Sequence, residues 1–278
     1  MNRSLPHTGP IGVFDSGFGG LTILKEIRRR LPGYDYLYLG DNARAPYGPR
    51  SFDMVYKFTL EAVNHLFDHG CPLVILACNT ASAKALRSIQ QHDLPHIDPT
   101  RRVLGVIRPS VEALGSLSRT GNVGVLGTQG TVRSRSYDIE IAKHCPGFTT
   151  YSQACPLLVP LIENDETSGP GADYFVRKYV DSLFAQSAEI DTVLLACTHY
   201  PLLYDKIAAA VPEGVKVVRQ GDIVAASLED YLRRHPEIEN RCRRGGQCRY
   251  LTTENPDSFA GLARTFLGEP VEARHVEL

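Results

Sequence analysis

Two cysteines stand at matching places in two nearly identical stretches. Leu73-Val-Ile-Leu-Ala-Cys-Asn-Thr80 aligns with Thr192-Val-Leu-Leu-Ala-Cys-Thr-His199, so Cys78 and Cys197 lie 119 residues apart. Each thiol follows a short apolar run of the kind that forms a buried parallel strand, and in an open α/β sheet ligands bind beyond the carboxyl ends of the strands. If the two stretches belong to like units that face each other, the thiols occupy opposite walls of one cleft. Two identical groups of intermediate pKa can then take a proton from one face of an acidic carbon, such as the Cα of an amino acid, and deliver another to the opposite face. A free thiol titrates near about 8.5, and a helix N-terminus lowers that value. The alternative for a lone cysteine in an apolar run is a small buried hydrophobe.

Other strand ends carry polar residues too. Asp15-Ser16 follows Ile11–Phe14, Gly40-Asp41 follows Tyr36–Leu39, and Thr198-His199 follows Cys197. His199 and Asp15 are each placed to orient or relay for one cysteine. Hydroxyls and backbone N–H groups at Ser16, Asn79, Thr80 and Thr198 suit the carboxylates of an amino acid, as helix N-termini suit anions generally. Any single βα turn is polar for solvation and capping alone; four together point to a site.

The elements that must position these residues are legible as alternating runs. Ile11–Phe14, Tyr36–Leu39, Leu73–Ala77, Val103–Ile107, Val123–Leu126, Thr192–Ala196 and Val215–Val218 read as buried strands. Between them lies helical periodicity, as in Leu21, Leu24, Ile27 and Leu31, or from a cap at Ser51 to a stop at Gly70. Gly12-Val-Phe-Asp-Ser16 also resembles Gly124-Val-Leu-Gly-Thr128, 112 residues on, so two strand-and-turn units recur in the same order. The expected fold is α/β: two similar open-sheet α/β domains related by pseudo-twofold symmetry, with the site in the cleft between them.

Composition agrees with an ordinary globular enzyme. The chain has 278 residues, 43% hydrophobic and 22% charged, with 30 Lys and Arg against 31 Asp and Glu. A net charge of −1 gives no overall attraction to nucleic acid or to an anionic membrane. Seven cysteines without a short-range framework read as reduced thiols. Met1–Pro10 lacks the apolar core of a signal peptide and no run is long enough to span a membrane, so a cytoplasmic location is expected.

With these residues in view, Val13-Phe-Asp-Ser-Gly-Phe-Gly-Gly-Leu21, Gly40-Asp-Asn-Ala-Arg-Ala-Pro-Tyr-Gly48, Ala77-Cys-Asn-Thr80, Gly105-Val-Ile107 and Leu195-Ala-Cys-Thr-His-Tyr-Pro-Leu202 together resemble the bacterial glutamate racemase family. The resemblance runs from about residue 11 to the end, including Tyr250–Thr253 and Phe266–Gly268. It implies a cofactor-independent interconversion of L- and D-glutamate that supplies the D-isomer for peptidoglycan, with Cys78 and Cys197 as the catalytic thiols and Asp15 and His199 as their helpers. It places substrate binding on Asp15, Ser16, Tyr47, Gly48, Asn79, Thr80, Thr198 and His199. It also implies a homodimer, and a C-terminal segment that returns to complete the first domain: residues 1–102 plus 219–278 against 103–218.

One departure stands out, because this chain has Arg108 in Gly105-Val-Ile-Arg-Pro109 where many members carry Glu; its role stays open. Asp15–Gly20 lacks the Gly-x-Gly-x-x-Gly spacing of a dinucleotide cradle. Cys242 and Cys248 have no third ligand at zinc spacing and are expected to be loop thiols in a solvated basic segment, Arg241–Arg249. Lys84 is expected to be an exposed lysine on a helix surface. No metal or cofactor is expected. The rival activities are racemisation of aspartate or a related amino acid, or amino-acid binding without turnover.

Overall fold

The computed structural model describes residues 8–278, so the reading of Met1–Pro10 as free of a signal sequence falls largely outside the described residues. Among the described residues there are ten strands: β1 (Ile11–Asp15), β2 (Tyr36–Gly40), β3 (Leu73–Leu76), β4 (Arg102–Gly105), β5 (Asn122–Gly127), β6 (Thr149–Ala154), β7 (Thr192–Ala196), β8 (Lys216–Val218), β9 (Cys248–Thr252) and β10 (Ala273–His275). They form a six-stranded sheet in the order β10-β9-β2-β1-β3-β4 and a four-stranded sheet in the order β6-β5-β7-β8. Every pairing is parallel.

The duplication read from the sequence is visible in both order and register. Strands β2-β1-β3-β4 of the first sheet recur as β6-β5-β7-β8 in the second. Gly12 pairs with Val74 in the first sheet, and their counterparts Gly124 and Val193 pair in the second. The central strands are buried throughout because helices cover both faces. Ile11 and Val13 face a core with Leu21, Leu24 and Ile27, whereas Phe14 faces the opposite core with Val55, Phe58 and Val63. Helix Gly20–Arg30 buries the first group and ends in three arginines, a favourable match to its C-terminal dipole. Helix Phe52–Asp68 buries the second, and the Ser51 side chain caps it by accepting from the Met54 N–H at 3.3 Å.

Two expectations need correction. The first sheet does not stop at residue 102: β4 pairs with β3 in the register Leu73–Arg102 to Leu76–Gly105, and the apolar run Val103–Ile107 then turns into helix Ile107–Leu117. The basic segment is exposed at Arg243, Arg244 and Arg249, as expected, and three of its arginines are tied to the fold. Arg243 pairs with Asp35, Arg244 pairs with Glu239 and lies over the Tyr34 ring, and Arg241 donates to the Thr100 carbonyl. Its cysteines are not both loop thiols: Cys242 stays in the irregular segment but is buried, whereas Cys248 opens β9, which extends the first sheet beside β2. No helix among the described residues is long and apolar enough to cross a membrane.

The two halves meet closely at Gly19, where a Cβ would collide with Thr198 Oγ1 and His199 Nδ1. Thr22 Oγ1 ties the same contact by donating to the Thr198 carbonyl at 2.9 Å. Gly19→Ala is therefore expected to lower the unfolding free energy by about 1–3 kcal/mol through overpacking. Gly33→Ala, where a Cβ has nothing within 4 Å, serves as the control. Urea midpoints read the difference, and equal midpoints for the two variants would contradict it.

Candidate active site

The carboxyl ends of β1 and β3 from one sheet and of β5, β6 and β7 from the other open onto a cavity of about 230 Å³. The first half contributes Ser16, Tyr47, Gly48, Cys78, Asn79 and Thr80 to its lining. The second contributes Cys197, Thr198 and His199. The sequence singled out all nine. Asp15 does not line the cavity; it is fully buried one layer below, where Oδ2 accepts from the Gly17 N–H at 2.9 Å and Oδ1 from Thr198 Oγ1 at 3.5 Å. Burial raises its carboxyl pKa, against the pull of positive charge at His199.

The two thiols occupy equivalent strand ends but unlike surroundings. Cys78 caps helix Asn79–Lys84: its Sγ accepts from the Ala81 N–H at 3.4 Å and lies 3.4 Å from Ser16 Oγ. Burial, reinforced by the negative charge of Asp15, pushes this thiol up to about 12. Cys197 Sγ lies 3.9 Å from His199 Nδ1, and His199 Nε2 is 2.9 Å from Glu163 Oε1. Burial works against an imidazolium there, but the hydrogen bonds and charges of Cys197 and Glu163 outweigh it and raise His199 to about 10. One thiol thus meets neutral donors with a carboxylate in the layer below, and the other faces a protonated ring held by a carboxylate.

The loop that carries Tyr47 and Gly48 is fixed from behind. Buried Asp41 accepts from the Tyr47 hydroxyl, from Arg44 Nε at 2.7 Å and from Thr253 Oγ1 at 2.9 Å. Across the cavity mouth Thr80 Oγ1 lies 2.9 Å from Thr128 Oγ1, and a Cβ on Gly130 would come within 2.7 Å of the Gly48 carbonyl oxygen. No Lys or Arg lines the cavity among the described residues, so an anion there would meet hydroxyls, amides, backbone N–H groups and His199.

Two expectations about nearby cations fare differently. Lys84 is 7% exposed, not a surface lysine; its Nζ donates to the Arg50 carbonyl at 2.6 Å because the short helix after Cys78 turns this side chain into the seam between the halves. Arg108 stays outside the cavity, exposed and paired with Glu112 at 2.8 Å. Sequence reasoning missed Glu163, Cys155 and Thr128, which also line the cavity. Thr128 had a signal, since it aligns with Ser16 in the repeat, and Cys155 follows β6 as Asp41 follows β2. Glu163 had none: it sits 36 residues from the histidine it touches.

The raised His199 pKa has a consequence for stability. A group whose folded pKa lies above its unfolded value of about 6.5 contributes stability that is fully present below that value and lost as pH rises through about 10. Between pH 7 and 10 the wild-type urea midpoint is expected to fall more steeply than that of Glu163→Gln, which removes one cause of the shift. Parallel slopes would contradict the Glu163–His199 coupling.

The Asp/Glu/Hydantoin racemase family model matches residues 11–228. The glutamate racemase of Dinoroseobacter shibae is 41% identical over 277 residues, covering 96% of this chain and 98% of that protein. Among solved structures, a glutamate racemase isoform from Bacillus anthracis is similar at a TM-score of 0.88 and 33% identity, covering 97% of this chain and 98% of the other. Glutamate racemase from Francisella tularensis in complex with D-glutamate is similar at 0.86 and 32% identity, with the same coverage of 97% and 98%. A chain with two thiols at equivalent strand ends, alike in fold and sequence to these proteins along nearly its whole length, belongs to the Asp/Glu/Hydantoin racemase family.

Proposed function

We propose that this protein is a cofactor-independent glutamate racemase that interconverts L- and D-glutamate with Cys78 and Cys197 as its two bases. The observation that carries this reading is the pair of thiols at matching strand ends of two repeated sheets, both lining one cavity. In each direction one sulfur, as thiolate, takes the Cα proton and becomes a thiol, while the other thiol gives its proton to the opposite face and becomes a thiolate. Cys197 works beside the His199–Glu163 pair and Cys78 beside Ser16.

Substrate carboxylates are held by Ser16, Asn79, Thr80, Thr198 and His199, with the Tyr47-Gly48 backbone closing one side. Asp15 acts from the layer below, on the Ser16 turn and on Thr198. The carbanion finds no delocalising group among these residues, so fixed donors and exclusion of water carry the stabilisation. The halves built on the two sheets act as two domains that close over the substrate, the C-terminal segment returning near residue 219 to the first. A cytoplasmic homodimer that supplies D-glutamate for peptidoglycan completes the proposal, on the strength of the family resemblance.

Incubation of purified, reduced protein with L- or D-glutamate in D2O, without added cofactor, is expected to give loss of optical rotation together with Cα deuteration from either enantiomer. Turnover of aspartate alone would replace the substrate, and silence with both would overturn the racemase reading. Cys78→Ser and Cys197→Ser are each expected to lower racemisation by about 10²- to 10⁴-fold, the usual contribution of a positioned acid or base. Full activity in either single variant would end the two-base mechanism.

A further inference from the structure

Two residues outside the cavity form a closed polar ring with one inside it, and a third outside residue anchors the ring. Gln220, Tyr137 and Ser110 are each 2% exposed or less, and they gather where the chain passes between the two sheets. Ser110 lies in helix Ile107–Leu117, just after β4, and Gln220 is the residue before helix Gly221–Arg234, just after β8. Tyr137 comes from helix Ser136–His144, between β5 and β6. Gln220 Nε2 donates to Ser110 Oγ at 2.7 Å and to the Tyr137 hydroxyl at 2.8 Å. Asn79 Nδ2 donates to Gln220 Oε1 at 2.7 Å, and the Tyr137 hydroxyl donates to Asn79 Oδ1 at 2.6 Å.

The direction of every bond in this ring follows from one backbone group. Ser110 Oγ–H is committed to the Val106 carbonyl at 2.7 Å, so toward Gln220 the hydroxyl can only accept. Gln220 must then present its NH₂ to Ser110 and its oxygen to Asn79. Asn79 in turn presents its NH₂ to Gln220 and its oxygen to Tyr137. A flipped amide at either position would set oxygen against oxygen or leave a buried donor unpaired, which is the costly outcome in a dry interior. Asn79 Oδ1 is thereby occupied, while one of the two Nδ2 hydrogens remains free on a side chain that lines the cavity.

We infer that Gln220, with Tyr137 and Ser110, is a positioning residue that fixes Asn79 as a hydrogen-bond donor to an anionic oxygen of the substrate. The inference rests on the racemase reading of the cavity. It deepens that reading by assigning the polarity of one binding group to residues at both chain crossovers, so that the alignment of the halves and the orientation of Asn79 are set together.

A double-mutant cycle on glutamate racemisation tests this, read as kcat/KM and, for slow variants, as Cα deuterium wash-in, which accumulates with time. Tyr137→Phe, which leaves the shape of the ring, and Gln220→Leu are each expected to lower kcat/KM about tenfold in the native background. On top of Asn79→Ala each is expected to cost about twofold or less, because the group they orient is gone. Equal losses in both backgrounds would assign the ring to structure alone and overturn the inference. So would unchanged kinetics in Tyr137→Phe, which also covers the case in which Gln220→Leu fails to fold. Absence of racemisation in the native protein would instead overturn the underlying reading of the site.

Discussion

Most polar groups around this cleft are out of water, and each buried one must find its partner in the protein. Asp15, Asp41, Asn79, Thr198, His199 and Gln220 are all buried, and each is tied to another residue that is buried or held in place. That requirement links features far apart in the chain. Asp41 holds the Tyr47 loop, Glu163 holds His199, and the crossover residues hold Asn79. The apolar sheets supply the dry environment, and the hydrogen bonds decide which groups keep their protons within it.

The scaffold is repeated but its chemistry is not. Equivalent strand ends deliver Cys78 and Cys197, yet the first sits on a helix N-terminus beside a hydroxyl and above a carboxylate, and the second beside an imidazole backed by Glu163. Burial pushes Cys78 up, whereas His199 is held protonated well past neutrality. Equivalent strands thus place the two thiols in unlike electrostatic surroundings.

How much of this was legible in the sequence depended on burial. Central strands such as β1, β3 and β7 declared themselves because both faces are covered and nearly every position is apolar. Two of the four edge strands did not: β6, Thr-Thr-Tyr-Ser-Gln-Ala, is nowhere fully buried, and β10 is three residues long. Strand β9 was hidden because it opens in the arginine-rich segment, where Asp35 pairs with Arg243 and Glu239 with Arg244. The strand-end residues were legible since their position follows from sheet topology alone. Glu163 and Gln220 were not, because their roles come from tertiary contacts with residues 36 and 141 positions away.

The central claim is that the cavity sets the two sulfurs on opposite faces of one carbon, and a crystal structure with D-glutamate bound tests it most directly. The account predicts Cα lying between Cys78 Sγ and Cys197 Sγ, each within reach of one face, with Asn79 Nδ2 donating to a substrate oxygen. Glutamate bound with both sulfurs on the same side of Cα, or with neither near it, would contradict that claim.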